Sequence, residues 1–311
     1  MPALDRNRGY RGRFAPSPSG ELHFGSLVAA MGSYLDARSH HGEWLVRMED
    51  LDRTREVKGA AKSILQTLES FGFCWDGEII YQSQRTVAYA EAVDRLIQTR
   101  LAYPCGCSRK FIEAQAKYGA EGAIYPGTCR NGVVAGRAER SIRVLTTDEE
   151  ITVMDSVQGR ISQQIDREIG DFVIRRADGF HAYQLAVVID DAWQGITDIV
   201  RGADLISSTP RQYYLQTLLR LPHPAYVHLP LAVDDQGRKL SKQSRDARVD
   251  SKQPLDALLR ALAFLNQPLP PQRPETIEAF WQWAVMHWSL KPIPAQLQIP
   301  ATSRKYLNNL R

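Results

Sequence analysis

The chain has 311 residues, 43% hydrophobic and 24% charged, the composition of an ordinary soluble globular protein with apolar material for a sizeable core, in one large domain with insertions or in two. Lys and Arg (39) exceed Asp and Glu (35) by four, a mildly basic balance compatible with nucleic acid without being diagnostic of it. Met1 to Arg6 carry no apolar h-region, the run Leu185–Ile189 is far too short to span a bilayer, and four cysteines make no secreted disulfide framework, so a cytoplasmic protein with no membrane partner is expected.

The first predicted unit centres on Arg13 to Gly25. A β-leaning entry at Tyr10 and Phe14 must end where Pro16 and Pro18 fix φ and remove backbone donors. Gly20 and Gly25 let backbone approach a ligand or a packed neighbour, and Leu27, Val28, Met31, Tyr34 and Leu35 recur at helical spacing. The reading is strand, tight turn, helix, with His23 at the helix start, where exposed N–H groups favour anions. Glu43 to Asp50 then reads as a strand ending in acids, and Glu56 to Phe71 as a helix with Ile64, Leu65 and Leu68 on its inner face. This order implies βαβ units and a parallel sheet with ligands at the carboxyl ends of the strands. Neither a Gly-x-Gly-x-x-Gly fingerprint nor a Walker lysine motif occurs.

Thr86 to Leu101 reads as an amphipathic helix feeding into Cys105-Gly106-Cys107. Cys129 follows twenty-two residues after Cys107, giving three soft ligands that bracket one loop, with Tyr125 as a possible fourth. A closed zinc site of this kind would be structural. Cys74, beside Trp75, reads as an isolated thiol. Short strands are predicted at 142–144, 151–153 and 172–176, with a tight turn at Asp178-Gly179. Tyr183 to Asp191 is predicted as a buried strand returning to the central sheet, and Ile196 to Gly202 as another. Arg201, set among apolar residues, needs an anionic partner. Ser208-Thr209-Pro210 reads as an N-cap and helix-start proline before a helix from Arg211 to Leu221. Tyr226 to Leu229 reads as a strand with His228 structural, Asp234 to Arg238 as a turn delivering Lys239, and 255–265 and 276–288 as helices.

Two segments carry a family resemblance. His23-Phe24-Gly25-Ser26 and Lys239-Leu240-Ser241-Lys242-Gln243 resemble, in the expected order, the two signatures of class I aminoacyl-tRNA synthetases in their glutamyl/glutaminyl form. Ser26 stands for the second histidine of the first signature and Gln243 for the final serine of the second. Arg47 to Arg55, Tyr183 to Asp191 and Ile196 to Gly202 are similar to further blocks of the glutamyl members. The resemblance implies an α/β fold: a class I synthetase-type, Rossmann-like parallel sheet with an inserted zinc-binding subdomain and a short helical tail. It implies His23, Lys239 and Lys242 as catalytic residues, and His23, Gly25 and Lys242 as contacts for ATP with its Mg²⁺. Arg13, Ala15, Ser17, Glu49, Tyr183 and Arg201 would bind L-glutamate, the two arginines with Tyr183 taking the side-chain carboxylate and Glu49 the α-ammonium.

The likeness runs from Gly12 to about Arg248, and 69 residues follow Lys242, short for the anticodon-binding region of ordinary members. In this, and in Tyr125-Pro126-Gly127-Thr128-Cys129, the chain resembles the truncated branch of the family in which zinc is held by Cys105, Cys107, Tyr125 and Cys129 at the matching positions. Members of that branch activate glutamate without tRNA and esterify it to queuosine in the anticodon of tRNA(Asp). The implied organisation is 1–102 and 181–248 as halves of the nucleotide-binding domain, 103–180 as the zinc-containing insertion, and 249–311 as a helical tail, in a monomer without an anticodon-binding domain. The alternatives are a minimal synthetase charging a tRNA 3′ end and a non-catalytic RNA-binding relative.

Overall fold

Strand β1 (Arg11–Phe14) ends where the prolines begin, and helix α1 (Phe24–Ser39) follows with His23 as its N-cap. The prolines cannot donate, but their carbonyls accept: Glu49 N–H bonds to Pro16 O and Val57 N–H to Pro18 O, both at 3.0 Å. These bonds hold the segment after β2 (Glu43–Met48) against the turn after β1. They also delay helix α2 to Ala60–Ser70, past Gly59 at φ +83°, four residues later than the periodicity predicts. β3 (Ile80–Tyr81) completes a parallel sheet in the order β1-β2-β3. In this computed structural model, residues 9–119, 121–234, 236–238, 249 and 253–301 are described; the Lys239–Gln243 motif, with Lys239 and Lys242, lies outside them.

After α3 (Thr86–Gln98) the chain builds a second layer. β4 (Ala102–Cys105), α4 (Arg109–Glu113) and the two-residue strands β5 (Tyr118–Gly119) and β6 (Gly122–Ala123) surround the cysteine loop. β7 (Ser141–Val144) pairs antiparallel with β4 and with β10 (Val173–Arg175). Between them lie the hairpin β8 (Glu150–Asp155) and β9 (Gly159–Gln164) and a single turn, α5 (Ile165–Glu168).

The segment predicted as a returning strand is instead a helix, α6 (Tyr183–Trp193). A short unbroken apolar run such as Leu185–Ile189 fits a buried strand and a buried helix equally, and here the surroundings decide. Asp190 and Asp191 are both buried and lie 3.9 and 2.8 Å from the one guanidinium of Arg47, which neighbours on a strand, pointing to opposite faces, would not do. The return strand is β11 (Asp198–Gly202). Helix α7 (Thr209–Leu219) starts directly from a 3₁₀ turn at Ala203–Ser208, so Ser208 is already helical and caps nothing; its hydroxyl accepts from Gln184 Nε2 at 2.9 Å. β12 (Ala225–Leu229) pairs parallel with β11 and, at Tyr226↔Asp155, with β8. Thr197 N–H donates to Arg11 O and Arg11 N–H to Thr197 Oγ1, so the two sheets abut along β1 and β11 and run on as β3-β2-β1-β11-β12-β8-β9.

The last elements fold back on the first. β13 (Leu231–Val233) pairs parallel with β14 (Gln298–Pro300), and between them lie α8 (Pro254–Phe264) and α9 (Ile277–Met286). One apolar core joins α1, β1, β2, α2, α8 and α9 around the fully buried Trp44, whose Nε1 donates to Ser33 Oγ. A second joins α3, α6 and α7 to β4, β7 and β8. Gly32 lets α1 lie against β12: a Cβ there would sit 2.4 Å from Leu229 Cδ1, and Leu229 is fully buried. Gly32→Ala is therefore expected to lower stability by about 1 to 3 kcal/mol through overpacking; an unchanged urea midpoint would show that the contact is not tight.

Candidate active site

Past the carboxyl ends of β1, β2, β11 and β12 opens a cleft of about 550 Å³. Its lining brings together Arg13, Ala15, Ser17, His23, Gly25, Glu49, Tyr183 and Arg201, every predicted ligand of glutamate and ATP within the described residues. Glu49 directly follows β2, Tyr183 opens α6 and Arg201 lies on β11, so sheet ends and helix starts converge as a parallel sheet requires. His23 Nδ1 accepts from Ser26 N–H at 3.3 Å, which puts the proton of the neutral ring on Nε2. A smaller chamber of about 170 Å³ adjoins at Glu49 and Tyr183 and is lined further by Asp52, Arg55, Arg176 and His181. There Asp52 accepts from Thr54 and Arg55, and these bonds pull its pKa down to about 2.

The cleft floor rests on a buried charge network that the sequence did not disclose. Arg47, fully buried, donates through Nη1 to Asp191 Oδ1 (2.8 Å) and Gln194 Oε1 (2.6 Å), and through Nη2 to Glu49 Oε1 (3.3 Å). Arg13 grips the same Asp191 with Nε (3.0 Å) and Nη2 (3.3 Å). Asp190 next door accepts from Gln82 Nε2, Arg85 Nε and Tyr89 Oη at 2.6 to 2.9 Å. Burial alone would raise the Asp191 pKa, but Arg13 and Arg47 outweigh it and hold the carboxyl below its ordinary value. Glu49 goes the other way: burial raises its pKa despite the opposing charges of Arg47 and Arg13. The available sequence signal was weak. Arg47 and Glu49 lie two residues apart at a strand end, and Asp190-Asp191 interrupts an apolar run, but nothing links positions 144 residues apart.

Arg201 differs from Arg13 and Arg47 in having no carboxylate ion-pair partner among the described residues, although Arg47 too keeps one unpartnered buried N–H, at Nε. Arg201 is 4% exposed, its Nε donates to His228 Nε2 and its Nη2 to Thr209 Oγ1, and its buried Nη1 has no hydrogen-bond partner among the described residues. Because Arg47 is ion-paired with Glu49, Asp190 and Asp191, Arg47→Met is expected to cost about 3 to 5 kcal/mol by removing the shared cation from among buried carboxylates, Glu49 above all. A urea midpoint unchanged from the parent would mean that the network does not hold the cleft floor.

Away from the cleft, Cys105, Cys107, Cys129 and Tyr125 form one buried cluster. Cys107 Sγ lies 3.6 Å from Cys129 Sγ, and Tyr125 Oη lies 3.3 and 3.8 Å from Cys105 and Cys107 Sγ. A tetrahedral ion with metal–sulfur bonds of about 2.3 Å sets its sulfurs about 3.8 Å apart, so the donor set has the right size and chemistry. Tyr125 Oη accepts from Cys129 N–H at 2.9 Å, and Gly170, at φ +74°, bridges Tyr125 so closely that a Cβ there would sit 2.6 Å from Tyr125 O. Burial would raise the Cys105 thiol, but its hydrogen bonding with Tyr125, Cys107 N–H and Arg143 draws it down to about 7. Cys74 is exposed and apart.

The family model of class I tRNA synthetases (E and Q), catalytic domain, matches residues 10–265. A curated relative from Dechloromonas aromatica, named glutamyl-Q tRNA(Asp) synthetase, is 54% identical over 293 residues, covering 93% of this chain and 97% of its own length. One from Chromobacterium violaceum with the same name is 54% identical over 292 residues, covering 94% and 98%. Among solved structures, a glutamate tRNA ligase from Elizabethkingia meningosepticum in complex with its amino acid superposes with TM-score 0.79 at 22% identity, over 96% of this chain and 68% of that one. The glutamate-tRNA synthetase of Elizabethkingia anophelis gives 0.80 at 22%, over 96% and 69%. The fold is that of the class I synthetases, and the chain belongs to their glutamate and glutamine family, in the same group as the curated glutamyl-Q tRNA(Asp) synthetases.

Proposed function

We propose that this protein activates L-glutamate with ATP, without needing tRNA, and transfers the glutamyl group to queuosine in the anticodon of tRNA(Asp). The observation that carries the reading is one cleft holding a buried cation with an unused N–H (Arg201 Nη1) and a buried carboxylate (Glu49), beside the N-terminus of α1. Those groups complement the side-chain carboxylate, the α-ammonium and the phosphates of the substrates. The names of relatives more than half identical over nine-tenths of the chain supply the acceptor.

In the first step an α-carboxylate oxygen of glutamate attacks the α-phosphorus of ATP, the bond to the bridging oxygen breaks, and pyrophosphate leaves. Nothing covalent to the protein is needed, so alignment and charge neutralisation are the protein's contribution. Arg201, with Tyr183, holds the side-chain carboxylate, a task that Arg13, expected to share it, leaves to Arg201 because its guanidinium is tied to Asp191; Glu49 holds the ammonium; Arg13, Ala15 and Ser17 shape the wall between them. His23 and the backbone at Gly25 meet the phosphates, and Lys239 and Lys242 neutralise the departing charge together with the Mg²⁺ that accompanies ATP. In the second step a queuosine hydroxyl attacks the activated carbonyl and AMP leaves. Arginine favours glutamate over glutamine, since an amide gives up the charge-assisted bond. The cluster of Cys105, Cys107, Tyr125 and Cys129 would hold a structural Zn²⁺ that shapes the 103–180 insertion.

Labelled glutamate with ATP is expected to mark tRNA(Asp) that carries queuosine and not tRNA(Asp) that lacks it, and the label should survive removal of the 3′-terminal adenosine. Label on both pools, lost with that adenosine, would overturn the acceptor. Glu49 must be ionised to receive an ammonium, and its pKa is raised. The kcat/KM for glutamate in ATP–pyrophosphate exchange should therefore fall with one-proton slope as pH drops through a value above the ordinary carboxylate range; a flat acidic limb would remove Glu49 from this role. Protein purified without chelators should carry one zinc per chain, lost in Cys129→Ser; absence of zinc by elemental analysis would refute the metal site.

A further inference from the structure

His228 lies beside Arg201 across the β11–β12 ladder (Arg201↔His228) and is fully buried. An arginine Nε can only donate, so at 3.0 Å the His228 Nε2 must be the acceptor. The ring proton is then on Nδ1, which faces Asp155 Oδ2 at 2.7 Å. Asp155 is itself fixed: its Oδ1 accepts from the N–H groups of Val157 and Gln158 at 2.9 and 2.8 Å. Thr209 Oγ1 closes the arrangement, accepting from Arg201 Nη2 at 2.9 Å and lying 3.1 Å from His228 Nε2. The two short-range acceptors behind Arg201, an imidazole nitrogen and a hydroxyl, carry no charge, whereas Arg13 and Arg47 are matched directly to Asp191.

We propose that His228, held in one tautomer by Asp155, is a positioning residue that orients the Arg201 guanidinium through its Nε and directs Nη1, on a guanidinium with no carboxylate bonded directly to it among the described residues, at the substrate's side-chain carboxylate. The proposal rests on the reading that this carboxylate meets Arg201. Burial and the Arg201 charge both lower the His228 pKa and Asp155 opposes them, which agrees with a neutral, accepting ring. A carboxylate in place of the imidazole would hold the guanidinium as firmly but cancel the charge that an anionic ligand needs. The arrangement also draws the β8–β9 hairpin into the amino-acid site, because Asp155 ends β8 while Arg201 and His228 lie on the adjoining strands.

The test is ATP–pyrophosphate exchange with the full chain, its fold checked by circular dichroism and urea midpoint. His228→Leu removes the acceptor, whereas His228→Gln can offer a side-chain carbonyl to Arg201 Nε. In His228→Leu the KM for glutamate is expected to rise at least tenfold, with kcat and the KM for ATP within threefold of the parent, and His228→Gln should recover most of the loss. An unchanged KM for glutamate, an equal decline in the ATP parameters, or a failure of His228→Gln to recover would overturn the proposal. If His228→Leu does not fold, Asp155→Asn, which keeps the side-chain volume, carries the same test: a raised KM for glutamate alone supports the proposal and no change overturns it. Absence of glutamate-dependent exchange in the parent would remove the underlying reading, and the proposal with it, and is distinct from exchange that His228→Leu leaves unmoved.

Discussion

The site depends on burying a strong cation, Arg47, at the end of a central strand. A guanidinium taken out of water is costly unless carboxylates and neutral acceptors surround it, and here Asp191, Glu49 and Gln194 do so. The partners come from β2's own continuation and from α6, which is separated from β2 in sequence by the whole insertion. The ion pair therefore fixes how α6 docks on the sheet, and with it where Tyr183 enters the cleft. A buried ion pair of this kind is weak evidence of stability and better read as a specifier of geometry.

The same network divides the arginines by role. Arg13 and Arg47 share one carboxylate, Asp191, while among the described residues Glu49 has only the longer 3.3 Å contact to Arg47. Glu49 thus stays a buried carboxylate with a raised pKa, short of compensation until a cation arrives, and Arg201 is its counterpart of opposite sign. On the reading proposed above, a zwitterionic substrate with a second carboxylate would supply both missing charges at once.

Much of this was legible from local chemistry. Pro16, Pro18 and the apolar spacing of α1 state a strand, a turn and a helix without reference to the rest of the chain, and the cysteine spacing states a ligand cluster. What could not be read was pairing at long range. Tyr183 to Asp191 gave the wrong element because Leu185–Ile189 is apolar all round, so its period is silent, and only the arginines waiting across the sheet choose helix. Ser208 reads as a cap by residue type, yet the preceding 3₁₀ turn had already satisfied the helix start. His228 was readable as structural, but its partner Asp155 lies 73 residues away in an inserted hairpin.

The insertion shows how a cysteine cluster distant from the cleft can still be tied to it. Asp171, fully buried, accepts from Arg130, Thr146 and Tyr103, binding the loop that carries Cys129 to the strands on either side. Arg143 of β7 donates to Asp171 O and to Cys105 Sγ and stacks over Tyr125, so the sheet β4-β7-β10 and the thiol cluster share one set of contacts. From that sheet the chain passes into the β8–β9 hairpin, whose Asp155 reaches β12. Loss of order at the cysteines would thus loosen the frame from which Asp155 braces His228, a route running through covalent continuity and paired strands rather than through the cleft itself.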